Sequence, residues 1–409
     1  MDRALQEFPV VIIGAGSTGA ALACDLALRG FPVTVLERGE VSSGTTGRNH
    51  ALLHSGARYV VHDPASAREC FEENRVLRRL APEVIEPTGG LFVALDAADL
   101  DYLPEFLEGC REAGMDVRPI SPRQALDQVP ALNPQILAAV PVPDAVFDPY
   151  RLTASWLATA QAAGARVLTY VRVEGLEAGP PPAGVRSRAG DARARIVVRA
   201  QSLASGRELV FPAAVVANCA GPWAPQIGAL AGVKVPVVPS AGVLVALEGR
   251  LANKVINHLH PPGDGDILVP QRQISLAGTT SWVAESPDQV PVPRDHVERL
   301  RELASRLVPA ARFAPLRAAY SACRPLVADN VAADGREISR GFRVFNHGQS
   351  GLFTVAGGKT ATSRAMAESA GDAICAFLGV ERPCRTRVTP LVSYRRFRAD
   401  PWEVQGIGK

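Results

Sequence analysis

The chain lacks any Cys-x-x-Cys pair. Its seven cysteines, Cys24, Cys70, Cys110, Cys219, Cys323, Cys375 and Cys384, are scattered and odd in number. Neither a zinc site nor an iron–sulfur cluster is written into it, and the thiols read as small buried hydrophobes. No apolar run approaches the length of a membrane span. The N-terminal MDRALQEF has no apolar core of a secretory signal, so cytoplasmic residence is the expectation. Charge of one sign is also scarce: 44 Lys and Arg against 41 Asp and Glu leave +3 over 409 residues. That excess argues against a nucleic-acid partner and leaves room for a local arginine cluster around a small anion. At 47% hydrophobic and 21% charged, the composition is that of a globular protein, and the length suits two domains.

What is present begins at Pro9. An apolar β run, Val10 to Ile13, ends on Gly14-Ala15-Gly16-Ser17-Thr18-Gly19. An alanine-rich segment continues to Arg29, and a second β run, Val33 to Leu36, closes on Glu37, 18 residues past the third glycine. Glycines let the backbone reach a pyrophosphate, whose charge sits at the helix N-terminus. An acid in the place of Glu37 accepts from a ribose hydroxyl. A glycine turn alone is a weak signal; both strands, the helix and the acid in register predict dinucleotide binding. The unit by itself leaves NAD and FAD open. The continuation favours FAD, because residues 43–50, SGTTGRNH, form a second small, hydroxyl-rich loop directly after Glu37. Such a loop can run along an extended FAD, where an NAD enzyme usually proceeds to another strand.

Further along, the spacing predicts a helix over 64–80, a strand over 90–95, helices over 103–113 and 121–129, and a helix over 148–164 opened by Pro149. β-rich stretches at 166–177 and 196–198 flank a loop holding Pro180-Pro181-Pro182, the candidate for disorder or insertion. Residues 214–218 make an apolar strand suited to a buried parallel position. Between 236 and 326 strands dominate, at 243–247, 266–270 and 274–279, interrupted by a charged helix over 295–307. This half reads as a mixed sheet roofing a ligand. A strand over 352–356, the turn Gly357-Gly358-Lys359 and a helix over 362–378 form a second anion-receptive helix start. Two such starts more than 300 residues apart imply one cofactor held by both ends of the chain. The nucleotide-binding domain is then discontinuous, over 1–84, 148–225 and 327–390, with a substrate domain over 85–147 and 226–326 and a C-terminal tail over 391–409.

The blocks GAGSTGAALACDLALRG, TTGRNHALLHSGARY, VFDPYRLT, VVANCAGPWA, DILVP with ISLAGTTS, SACRPLVAD and TVAGGKTATSRAMAE, colinear over about residues 9–385, resemble FAD-dependent glycerol-3-phosphate dehydrogenases. They are most like the large subunit of the anaerobic, multisubunit form, in the wider group of D-amino-acid-oxidase-like flavoproteins. The resemblance implies an α/β fold, a FAD-binding Rossmann-type domain plus a mixed or antiparallel-sheet substrate domain. It implies oxidation of sn-glycerol 3-phosphate to dihydroxyacetone phosphate by hydride transfer to flavin N5. Gly14, Gly16, Ser17, Thr18, Gly19 and Glu37 would hold the pyrophosphate and adenosine ribose. Arg38, Thr45, Thr46, Gly47 and Asn49 would line the FAD, Val173 would meet the adenine through its backbone, and Ala220-Gly221 would close over the pyrophosphate. Gly357, Gly358, Lys359, Thr360 and Thr362 would face the flavin pyrimidine. Arg58, Tyr59, Arg324 and Lys359 match the family's cationic substrate cluster, with Arg340 and His258 as further candidates.

Three departures from the family pattern stand out. The cysteine-rich C-terminal extension of the anaerobic form is not found after Tyr394. Electrons are therefore expected to leave through a further subunit, another protein or oxygen, and any peripheral membrane association to run through such partners. Ala241-Gly242 stands where Lys-Gly is usual, and His258 and His260 stand where an arginine pair is expected. These changes keep a 2-hydroxy acid or amino acid open as the substrate; a third reading is a non-catalytic flavin subunit.

Arg58, after an alternating apolar run in a glycine-loosened segment, is either a surface arginine in a turn or a contact to an anion. Arg324 sits in an apolar run where an unpaired charge is costly, so it has an internal ion partner or an anionic ligand. Arginine binds carboxylate and phosphate alike. Lys359, after two glycines, is either a loop charge or a flavin and substrate contact. His54, four residues before Arg58, is placed to take the proton that leaves a substrate hydroxyl, although a lone histidine is more often structural. His258 and His347 are weaker competitors for that role. Cys323 lies where some amine-oxidising relatives tether their flavin; on its own it reads as a small buried side chain.

Overall fold

The computed structural model describes residues 8–178, 196–328 and 338–401, and the proline loop at 180–182 lies outside the described residues. Strands β1 (Val10–Ile13) and β2 (Val33–Leu36) pair in parallel, Val10 opposite Val33. Unbroken apolar runs suit strands covered on both faces, and every residue of β1 is buried. The sheet has seven strands in the order Phe342–Asn346, Leu352–Gly357, Val215–Asn218, β1, β2, Arg166–Thr169 and Asp400–Pro401. All neighbours are parallel except the first pair. Only Val215–Asn218 separates β1 from Leu352–Gly357, so the two glycine turns at the ends of the chain lie close together.

Helix α1 (Ser17–Leu28) packs on helices Pro149–Ala162 and Ser363–Leu378. Ala20, Ala21 and Ala23 are fully buried there, and small side chains let the helices approach. At its start a Cβ on Gly19 would lie 2.0 Å from the Gly14 carbonyl oxygen, so that contact between turn and helix requires glycine. At its end the buried Arg29 pairs with Asp25 at 2.6 Å and Asp372 at 2.7 Å, and donates to the Arg382 carbonyl at 2.7 Å. Removing one partner of such a buried set leaves an uncompensated charge.

The second sheet runs Trp282–Val283, Val237–Glu248, Ile274–Gly278, Ile267–Gln271, Val255–His258, Gly90–Ala94 and Ala138–Val142, with Leu316–Val327 paired along Val237–Glu248. It is mixed: Val255–His258 and Gly90–Ala94 are parallel, the other pairs antiparallel. The charged helix Arg294–Leu307 buries Leu300, Ala304 and Leu307 against this sheet.

Three elements differ from expectation. Leu316–Val327 has no alternation to mark it, because Arg317, Arg324 and Pro325 interrupt the apolar run, and its partner strand alone defines it. The helix expected over 103–113 spans Ala97–Glu112, since Asp96 and Asp99 form a reciprocal capping box and Pro104 is accommodated inside. The segment set apart as a tail from 391 is joined to the nucleotide sheet over its described residues. The Val392 N–H donates to Thr159 Oγ1 at 2.8 Å, and Asp400–Pro401 adds the last strand.

Among the described residues no helix is long and apolar enough to cross a membrane.

Candidate active site

A cavity of about 1210 Å³ is lined from both sheets. At its nucleotide end Gly14 has φ +104°, and a Cβ there would meet the Cys219 carbonyl oxygen at 2.7 Å. Only a bare backbone closes this crevice above the start of α1. The Ser17 N–H donates to Thr46 Oγ1 at 3.0 Å, which draws the Thr45–Arg48 turn over that start. Glu37 accepts from the N–H groups of Ala15 and Gly39, each at 2.8 Å. A carboxylate keeps acceptor capacity beyond two such bonds, so Glu37 can still receive a ribose hydroxyl. Asn49 Nδ2 donates to the Thr46 carbonyl at 2.8 Å and to Thr360 Oγ1 at 3.2 Å, tying the hydroxyl-rich loop to the second glycine turn. The crevice, the helix start, the acid and the volume fit an extended FAD.

The other end is cationic. Arg324 Nη1 donates to Ser240 Oγ at 3.5 Å and the Ala241 carbonyl at 3.3 Å. Its Nη2 donates to the Thr280 carbonyl at 3.3 Å and to the Thr279 hydroxyl. All of these partners are neutral, and among the described residues no carboxylate pairs with it. Burial, then the neighbouring Arg340, pushes its pKa down to about 10. Arg58 differs: its Nη2 pairs with Asp266 at 2.7 Å and donates to the Gly263 carbonyl at 3.2 Å. Burial favours the neutral acid of Asp266, but Arg58 and then His260 outweigh it and hold its pKa at about 2. Lys359 Nζ donates to the Arg340 carbonyl at 3.1 Å and lies 4.7 Å from the centre of the Tyr59 ring. Burial works against its charge, yet Cys70, Tyr59 and Glu69 outweigh that, and its pKa is raised.

His54 is 6% exposed and lines the cavity. Among the described residues neither ring nitrogen has a hydrogen-bond partner. Burial, then His50, Lys359 and Arg58, drives its pKa well below 6.5, so the ring is neutral near pH 7. His50 stands edge-on to it at 5.3 Å, its Nδ1 accepting from the Leu52 N–H at 3.2 Å. Burial, then Arg324 and Arg58, pushes His50 down to about 3.

The structure brings most of the expected residues to this one cavity: Gly14, Gly16, Ser17, Thr18, Glu37, Arg38, Thr45, Thr46, Asn49, Val173, Ala220, Gly221 and Gly357 to Thr360 on the nucleotide side, and His54, Arg58, Tyr59, Arg324 and Arg340 beyond them. Gly19, Gly47, Thr362 and His258 do not line it. Gly19 serves helix packing, and Gly47 does the same for its own turn, where a Cβ would lie 2.4 Å from the Ser42 carbonyl oxygen. Thr362 is fully buried and its Oγ1 accepts from the Lys359 N–H at 3.2 Å. His258 is held by Asp99 at 2.8 Å. Cys323 also falls outside the lining, with its thiol pushed by burial to about 11. His50, Asp266, Thr279, Trp223 and Asp288 were not anticipated as site residues. The first four lie inside the quoted sequence blocks, where their neighbours pointed to the site; nothing local marks Asp288.

The FAD dependent oxidoreductase family model matches residues 9–364. An anaerobic glycerol-3-phosphate dehydrogenase subunit from Escherichia coli K12 is 42% identical over 391 residues, covering 94% of this chain and 70% of its own length. The corresponding subunit from Haloferax volcanii is 40% identical, covering 93% of this chain and 66% of its own length. Among solved structures, glycerol-3-phosphate dehydrogenase from Bacillus halodurans complexed with FAD superposes with a TM-score of 0.69 at 22% identity, covering 94% of this chain and 68% of that one. L-proline dehydrogenase from P. horikoshii gives 0.74 at 19% identity, covering 92% and 95%; at these identities both report the fold alone. With the family model spanning most of its length and the cavity built as such a cofactor requires, the chain belongs to the FAD dependent oxidoreductases.

Proposed function

We propose that this chain oxidises sn-glycerol 3-phosphate to dihydroxyacetone phosphate. The observation that carries the reading is Arg324, a half-buried cation in the cavity wall whose hydrogen bonds, among the described residues, all go to neutral acceptors. A cation partly withdrawn from water and without a carboxylate partner is stabilised by an anionic ligand. The same chemistry is expected from the bacterial and archaeal relatives, which are anaerobic glycerol-3-phosphate dehydrogenase subunits by name.

Arg324 and the N–H groups of Arg58 not engaged with Asp266 bind the phosphate, with Arg340 and Lys359 adding positive potential. Tyr59 lies beneath Lys359 and fixes its ammonium. FAD, when bound, supplies at N5 the acceptor for the hydride that leaves C2. His54 takes the hydroxyl proton. Its depressed basicity suits the role only with substrate in place, because a phosphate dianion raises the pKa of a nearby imidazole. Gly357, Gly358 and Thr360 offer the flavin a helix start at which negative charge is favoured. Val173, Ala220 and Gly221 line the opposite stretch of the cleft.

Ala241, His258 and His260, the departures that kept a carboxylate substrate open, lie outside the cavity lining. We assign electron removal to a partner protein, in keeping with relatives named as subunits. The domain division follows the two sheets, the nucleotide sheet holding FAD and the mixed sheet the substrate.

Anaerobic bleaching of the flavin by glycerol 3-phosphate, lactate, 2-hydroxyglutarate, proline and sarcosine tests the reading. Bleaching by glycerol 3-phosphate alone, followed by slow reoxidation in air, is the expected result; bleaching by a carboxylate alone would move the substrate class.

A further inference from the structure

Asp288 belongs to the stretch 284–293, which joins the mixed sheet to its charged helix, and Pro287 and Asp288 form part of the cavity wall. Its Oδ1 accepts from Trp223 Nε1 at 2.8 Å and from Arg38 Nη2 at 3.0 Å. The Arg38 guanidinium in turn lies 4.4 Å from the centre of the Trp223 ring. Beneath that ring is Gly44, where a Cβ would come within 3.2 Å of the indole. Arg38 follows Glu37 at the end of β2, and Trp223 closes the turn after Val215–Asn218. Both therefore come from the nucleotide sheet, and Asp288 reaches them from the other side.

One carboxylate thus spans the cleft beside the ribose-binding acid. The Arg38 and Asp288 side chains are each 47% exposed, so the link sits at the solvent rim. An exposed ion pair is weak and sensitive to salt, and the stacked indole adds a modest cation–π contribution. A fastening of that strength can open and reclose without unfolding either sheet.

We propose that Asp288, with Arg38 and Trp223, forms a latch across the nucleotide end of the cleft, and that the latch sets the rate at which FAD enters and leaves. The inference rests on the FAD reading of the cavity. It assigns Asp288 a function distinct from holding the cofactor, because a gate slows both directions of exchange while a holding contact slows release alone.

The test is the rate of FAD release and uptake, followed by flavin fluorescence after dilution of the holoprotein and after mixing apoprotein with FAD. In Asp288→Asn both rates should rise about five- to tenfold, the dissociation constant moving less than about twofold. Trp223→Phe, which keeps a ring and removes the N–H donor, should shift both rates the same way. Added salt should speed release from the wild type and leave Asp288→Asn unaffected. Rates in Asp288→Asn within about twofold of wild type would overturn the latch, given the size of such interactions. Faster release with unchanged uptake would also overturn it, making Asp288 a holding contact. A wild-type chain that takes up no FAD would overturn the FAD reading itself, and the latch with it.

Discussion

Arg324 and Arg58 are the same residue type, a few side chains apart in one cavity, yet their partners give them different work. Arg58 is already half-answered by Asp266, so it orients a ligand more than it attracts one. Among the described residues Arg324 has neutral acceptors, so an anion there gains more from its partly desolvated guanidinium. Arg324→Ala should lower kcat/KM for the phosphate substrate by about 10²- to 10³-fold, with flavin content per chain unchanged. Flavin loss in that variant would make Arg324 structural. His54→Asn should lower kcat by about 10²- to 10⁴-fold, the range for removing a general base, again with flavin retained; a drop below tenfold would hand the proton to another group.

At the level of elements, the β1–turn–α1 unit was legible because its requirements are local: a four-residue apolar strand, a glycine turn, an alanine-faced helix. Gly19→Ala tests the steric part. With the Gly14 oxygen 2.0 Å from the new Cβ, turn and helix must separate. Overpacking of this kind costs about 1–3 kcal/mol, measurable by urea unfolding, and the chain should purify depleted of FAD. Gly175→Ala, whose Cβ would meet Arg199 at an ordinary 3.6 Å, is the control and should stay within about 0.5 kcal/mol of wild type. The strand Leu316–Val327, by contrast, could not be read from its own residues. Pro325 and two arginines break its pattern, and twelve residues of Val237–Glu248 organise it from outside.

Over the whole molecule, acid should act through His50 and His54 before Asp266. His50 and His54 are held neutral with pKa values below 6.5, His50 at about 3. A folded-state pKa depressed below the unfolded value means that the unfolded chain takes up protons first as pH falls through 6.5. Stability then declines by about 1.4 kcal/mol per pH unit for each histidine that stays neutral, down to about pH 3 for His50. Asp266, held at about 2 against an ordinary 3.8, adds its loss only below 3.8. Urea midpoints of the FAD-free protein measured against pH should therefore begin to fall near 6.5, and His54→Asn should reduce the loss of stability between 6.5 and 5 by up to about 1.4 kcal/mol per pH unit. A midpoint unchanged down to pH 5 would contradict the neutral state of both rings.

The amino-acid sequence by itself determined the nucleotide-binding unit, the FAD cofactor and most helix limits, because strand periodicity, glycine turns and capping act within a few residues. The resemblance carried by its motifs also pointed to the cations that line the cavity. Only the tertiary structure decided how those cations are satisfied. Ser240 faces Arg324 across two strands whose pairing could slip by one residue and turn the guanidinium to the opposite face. Asp266 meets Arg58 across 208 positions, and Asp288 meets Arg38 across 250. Partners that distant are set by sheet register and by the packing of one sheet on the other, which no local pattern carries.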